Sequence, residues 1–136
     1  MDFHGVKIAL LHDDTILVHL RDDKPGLFNA NMWDCPGGGR EGDESPSDCA
    51  IREVNEELEI KLDPEQIIWE RWYPAQKDPS QKAVFMVARI NQTDIDNVVL
   101  HEGQKWEMFQ IERFLSDEQV VAHLQTRLKY YLHENT

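Results

Sequence analysis

The sequence predicts an α/β fold, a sandwich built on a mixed β-sheet, from three observations. Strand-like apolar runs are interleaved with two segments of helical spacing. One of those runs, residues 83–90, is apolar enough to lie inside a sheet covered on both faces. A chain of 136 residues, 40% of them hydrophobic, suffices for one core but not for two packed domains, so residues 1–136 read as a single domain.

Residues 6–11 and 15–20 are the first two strands, and the polar His12-Asp13-Asp14 between them suits a hairpin turn. In the second strand Ile16, Val18 and Leu20 alternate with Leu17 and His19, giving one apolar face and one mixed face. A loop over residues 21–32 leads to Trp33-Asp34-Cys35-Pro36 and then to Gly37-Gly38-Gly39, where the backbone can approach other groups closely. Ser45-Pro46-Ser47-Asp48 combines a capping hydroxyl, a proline at the first helical position and an early acid, so a helix starts there and runs to about Leu58. Its apolar positions are Ala50, Ile51, Val54 and Leu58. Further strands are expected at residues 66–72, 83–90 and 105–111. Ser116-Asp117-Glu118-Gln119 reads as the capping box of a second helix, with Val121, Leu124, Leu128 and Tyr131 as its core stripe.

Composition excludes several functions. With 26 acidic against 14 basic residues the net charge is −12, which disfavours non-specific binding to nucleic acid or anionic lipid. No apolar run approaches the ~18–20 residues of a membrane span, so no membrane partner is expected. The start, Met1-Asp2-Phe3-His4-Gly5, lacks the features of a secretion signal, and a cytoplasmic location is the expectation. Cys35 and Cys49 have no zinc-site spacing and read as reduced thiols. Any anionic substrate must bring, or be met by, something that offsets the repulsion.

On a helix Glu53, Glu56 and Glu57 project within about 100° of arc as one acidic face. Like charges at these spacings each cost about 0.2–0.5 kcal/mol, and the C-terminal end of a helix dipole adds to the penalty. A bound cation reverses it. Hard oxygen donors suit Mg²⁺, with Mn²⁺ as a substitute, and Mg²⁺ takes the rest of its shell from water and substrate phosphates. The plain alternative is a solvated acidic helix face on which Arg52 pairs with Glu56. Trp33, Trp69, Trp72, Tyr73 and Trp106 either stack on a base or fill the core; Arg21, Lys24, Arg40 and Arg71 either meet phosphates or are isolated surface charges.

Gly38, five residues, Glu44, seven residues, then Arg52-Glu53-Val54-Asn55-Glu56-Glu57-Leu58-Glu59-Ile60 resembles the Nudix box of the MutT-type pyrophosphohydrolases. Trp33-Asp34-Cys35-Pro36-Gly37-Gly38 resembles the approach to that box, and His101-Glu102-Gly103-Gln104 a downstream acidic loop. The resemblance implies a Nudix-like α/β/α sandwich and a Mg²⁺-dependent hydrolase that cleaves a phosphoanhydride bond in a nucleoside diphosphate linked to another moiety. A nucleoside triphosphate or related small nucleotide is the first candidate. A non-catalytic nucleotide-sensing or protein-interaction module and an enzyme of nucleotide sugars are the alternatives, and a homodimer is left open. By the same resemblance Gly37, through its carbonyl, and Glu53, Glu56, Glu57 and Glu102 would hold the metal. Glu53 would be the general base, with Glu102 second. Arg52 would orient the carboxylates, Glu44 would support the site, and Gly38 and Gly39 would meet the substrate. Glu59 departs from the pattern by standing where the box has its second glycine. A glutamate turning left-handed there would cost about 1 kcal/mol or more, so the expected helix ending is in question.

Overall fold

The computed structural model describes residues 2–135. β1 (Gly5–His12) and β2 (Thr15–Leu20) form the expected hairpin, pairing Leu11 with Ile16 and His12 with Thr15. Asp13 takes a left-handed φ of 52° in the turn, a conformation that short polar side chains tolerate. β3 (Trp33–Asp34) and β4 (Gly37–Gly39) follow, then α1 (Pro46–Leu58). After a 3₁₀ turn at Pro64–Gln66 come β5 (Ile67–Pro74), β6 (Lys82–Arg89) and α2 (Gln92–Asp96). β7 (Lys105–Gln110), α3 (Ile111–Ser116) and α4 (Ala122–Glu134) complete the order.

The sheet is mixed. Its main path runs β3-β2-β1-β6-β5, with β4 added to β1 and β7 to β2. β6 runs parallel to β1 in register from Gly5 with Ala83 to Leu11 with Arg89, and the other pairings are antiparallel. Side-chain alternation along β1 sends Ala9 and Leu11 to one face, with α4 residues Leu124, Leu128 and Tyr131. Val6, Ile8 and Leu10 go to the other face, with Ala50, Val54 and Leu58 of α1. Both faces are thus covered, as in an α/β/α sandwich.

One irregularity positions the functional region. On a single flank, β1 pairs with β4 at residues 5–7 and with β2 at residues 11–12. Between these stretches the Ile8 N–H donates to the Pro36 carbonyl at 2.9 Å. β2 and β4 therefore diverge along β1, and the sheet opens between them.

Two expectations are corrected. Residues 116–119 do not cap the last helix. Ser116 closes α3, and its hydroxyl donates to the Glu112 carbonyl at 3.0 Å. The chain then runs beside β3, where the Trp33 N–H donates to the Gln119 carbonyl (2.8 Å) and the Val121 N–H to the Trp33 carbonyl (3.0 Å). That pairing holds the segment extended, so α4 starts at Ala122 without a side-chain cap. Its stripe of Val121, Leu124, Leu128 and Tyr131 is buried. The second correction is at residue 111: the expected strand over 105–111 stops at Gln110, and Ile111 begins α3. Among the described residues no helix is long and apolar enough to cross a membrane.

Candidate active site

α1 starts and stops as its local chemistry dictates. The Ser45 hydroxyl accepts from the Asp48 N–H at 3.1 Å, and Pro46 occupies the first turn. At the far end Glu59 does adopt the left-handed conformation (φ 55°, ψ 31°), and its N–H donates to the Asn55 carbonyl at 2.9 Å. The helix therefore ends where a glycine would end it. The Glu59 carboxylate is engaged by His101 Nε2.

Arg52 lies at the centre of the outer half of the site. Its Nε and one terminal nitrogen hold Glu44 in a bidentate pair at 2.8 and 3.0 Å. The other terminal nitrogen donates to Glu53 Oε1 (2.8 Å) and Glu56 Oε2 (3.0 Å), and a further N–H reaches the Gly39 carbonyl at 2.9 Å. Hydrogen bonding to Arg52, followed by the Glu41 backbone N–H, holds the Glu44 carboxyl down at about 2. The same pairs raise Arg52 further above its ordinary value.

The inner half is organised differently. Glu57 is 5% exposed, and its Oε2 accepts from the Gly37 N–H at 2.9 Å. Backbone hydrogen bonds from Val99 to Leu58 (3.0 Å) and from His101 to Glu57 (2.8 Å) zip the following loop onto the end of α1, bringing Glu102 to Glu57. Burial first, then a hydrogen bond shared with Glu102, pushes the Glu57 carboxyl well above the usual range, against the pull of Lys7 and the Gly37 N–H. His19 Nε2 stands 3.9 Å from Glu57 Oε1, but burial keeps this imidazole neutral, and Nε2 sits 3.4 Å from the Cys35 carbonyl.

Two glycines let these halves meet. A Cβ on Gly38 would lie 2.5 Å from Glu53 Oε2, and one on Gly37 would lie 2.1 Å from the Val6 carbonyl oxygen, with φ already at 151°. Gly37–Gly39 thus passes between the carboxylates with nothing but backbone in the way.

The structure brings Glu53, Glu56, Glu57, Arg52, Glu44 and Glu102 around Gly37–Gly39. Of the stacking candidates, Trp33 is core, packed 4.8 Å from Phe109, and Trp69 packs on Tyr131 at 5.6 Å and Trp72 on Phe3 at 5.7 Å. Cys35 and Cys49 are free thiols, and burial raises both, Cys49 to about 11. One group escaped the sequence reading. Lys7 Nζ donates to Asp34 Oδ2 at 2.9 Å, and Arg21 donates to the same oxygen at 3.1 Å. Burial disfavours both charges, but the mutual pairing prevails, so Lys7 is raised and Asp34 lowered. The available signal was a lysine interrupting the apolar run of β1.

A glycine strand leading into a helix whose carboxylates fold back over it, on a mixed sheet between helical layers, defines a Nudix-type fold and site. The NUDIX domain family model matches residues 3–129, and the chain belongs to that family. The fold is shared with the MutT protein of Methanosarcina mazei, at a TM-score of 0.75 and 23% identity, covering 97% of this chain and 94% of that one. It is also shared with a C. elegans Ap4A hydrolase in a binary complex, at a TM-score of 0.71 and 21% identity over 97% and 96% of the two chains. An RNA pyrophosphohydrolase of Gluconacetobacter diazotrophicus is 39% identical over 46 residues, 32% of this chain. That match spans 28% of the relative's length.

Proposed function

We propose that the chain is a Mg²⁺-dependent Nudix hydrolase that cleaves a phosphoanhydride bond in a nucleoside diphosphate linked to another moiety, with a nucleoside triphosphate as the first candidate. The observation that carries this reading is the buried Glu57 held against Glu102 and the Gly37 N–H, across the glycine strand from Glu53. A buried carboxyl that meets a second, exposed carboxyl at its rim is stabilised by either a shared proton or a cation.

The donor set fits a hard divalent ion. Among the described residues no three side chains converge as a ready-made cage, because Arg52 draws Glu53 and Glu56 to itself. Arg52 takes one oxygen from each and leaves the second without a hydrogen-bond partner among the described residues. The residues that would hold Mg²⁺ or Mn²⁺ are Glu53, Glu56, Glu57, Glu102 and the Gly37 carbonyl. When bound, the metal neutralises phosphoryl oxygens and acidifies a water molecule.

Within this reading Glu53 receives the proton of the attacking water, with Glu102 the second choice. Arg52 fixes the orientation of Glu53 and Glu56, and Glu44 fixes Arg52 in turn. Gly38 and Gly39 admit the diphosphate close to the backbone. The chain's own charge of −12 opposes the approach of a diphosphate, and a bound metal would offset that repulsion at the carboxylates.

A panel of nucleotides with Mg²⁺, read by phosphate and pyrophosphate release, tests the activity. Release from at least one member is expected. Silence across the panel, under conditions where a known Nudix hydrolase turns over, overturns the proposal, and tight metal-independent binding without turnover would favour a sensing module instead. Calorimetry with Mg²⁺ and Mn²⁺ tests the metal separately.

A further inference from the structure

On the α4 side of β1 lies a cavity of about 250 Å³, lined among others by Lys7, Gly38, Gly39, His123 and Arg127. Its wall contains a guanidinium that the fold leaves uncompensated. Arg127 is 5% exposed, yet its one hydrogen bond within the described residues goes to the Pro74 carbonyl at 3.1 Å. Its guanidinium rests 4.6 Å from the Tyr73 ring centre. No carboxylate among the described residues pairs with it. A buried charge without a counter-charge is costly, and one carbonyl and one ring face offset that cost only in part.

The neighbouring charges point the same way. Asp34 is shared between Lys7 and Arg21, and Asp78 is taken up by the Ser80 N–H and hydroxyl, at 3.1 and 2.6 Å. Lys77, resting 4.9 Å from the Phe28 ring, adds another cation to the lining. His123 is held neutral, because burial and then Arg127 push its imidazole down to about 4. In a chain of net charge −12 the cavity carries an excess of cations.

We propose that this cavity is an anion subsite in which Arg127 receives a compact oxyanion, a phosphate monoester or a carboxylate, carried by the substrate away from its diphosphate. The inference rests on the function proposed above. Gly38 and Gly39 border both the cavity and the carboxylate cluster, so one molecule can reach both. The substrate class is narrowed accordingly to diphosphate compounds bearing an additional anionic group. His123 presents an uncharged imidazole, able to donate one hydrogen bond to the same oxyanion.

Metal-free calorimetry tests this with two ligand pairs. The first pair is adenosine 3′,5′-bisphosphate against adenosine 5′-monophosphate; the second is a uridine diphosphate uronic acid against its neutral hexose counterpart. The wild-type protein should prefer the charged member of at least one pair by about tenfold or more, and the preferred pair identifies the oxyanion. Arg127→Met should reduce that ratio to near one. Inorganic phosphate, at matched ionic strength, should raise the melting midpoint of wild type but not of Arg127→Met. Should that variant fail to fold, the wild-type ratios decide alone.

Equal affinities within both pairs would overturn the inference. So would a preference for guanosine over adenosine 5′-monophosphate with no gain from a second phosphate, which would place a base edge on Arg127. Hydrolysis with Mg²⁺ but no charge preference would remove only the subsite. A charge preference without hydrolysis of any nucleotide would remove only the proposed activity.

Discussion

Glu44 and Glu57 serve one site, yet their surroundings treat them oppositely. Glu44 sits near the surface with both oxygens on Arg52, which holds its carboxyl down at about 2. Glu57 lies buried with one backbone N–H and another carboxyl, and is driven upward. The difference shows how one constellation separates scaffolding from chemistry. Glu44, with both oxygens on Arg52, is scaffold, whereas Glu57, with no cation hydrogen-bonded to it, is the carboxylate that the proposed metal would relieve most.

The hardest blow to this contrast is Glu57→Gln. The amide keeps the acceptor for the Gly37 N–H but cannot ligate as a carboxylate, so hydrolysis should fall by roughly two orders of magnitude or more. The melting midpoint should hold or rise in the absence of metal. Steady-state kinetics beside a thermal melt would show it, and retained turnover would remove Glu57 from the metal site.

Arg52→Met attacks the other half. Glu44, Glu53 and Glu56 lose their common partner, and stability measured by urea titration should drop by about 2 kcal/mol, with activity falling alongside. An unchanged midpoint would mean that Arg52 is only a surface ion pair.

Smaller but more specific are two opposite pH slopes in metal-free protein. A lowered carboxyl contributes stability that is complete above its ordinary value of 4.5 and is lost as pH falls toward about 2. Glu44→Gln should therefore flatten the acid limb between those values. A raised carboxyl contributes stability below 4.5 that is lost as pH climbs toward its raised value. Glu57→Gln should flatten that decline, and Mg²⁺ should reverse it in wild type only. Denaturation midpoints across pH would separate the two slopes.

The smallest effect concerns Glu59. Replacing it by glycine removes the left-handed strain, for a gain of up to about 1 kcal/mol, partly offset by the lost His101 contact. A melting midpoint below wild type would show that the His101 contact outweighs the strain.

Local signals located α1 closely. Its cap, its first-turn proline and the spacing of its glutamates are properties of adjacent residues, and local structure follows from them. The same kind of signal misled at Ser116. Pairing with Trp33 keeps residues 120–121 extended and delays α4, and Trp33 is far away in sequence. Lys7 looked like an interruption in an apolar strand until Asp34 and Arg21 were brought to it. Arg127 offered no signal at all, since an arginine on an amphipathic helix is ordinarily solvated.

The sequence by itself determined the alternation of strands and helices, the acidic face of α1 and the glycines that let it meet the backbone, because each depends on neighbours within a few residues. Only the tertiary structure decided which carboxylate is buried, which arginine goes unpaired and where β2 and β4 part. Burial and pairing are relations between segments distant along the chain, and these relations set the charge state of Glu57 and the solitude of Arg127.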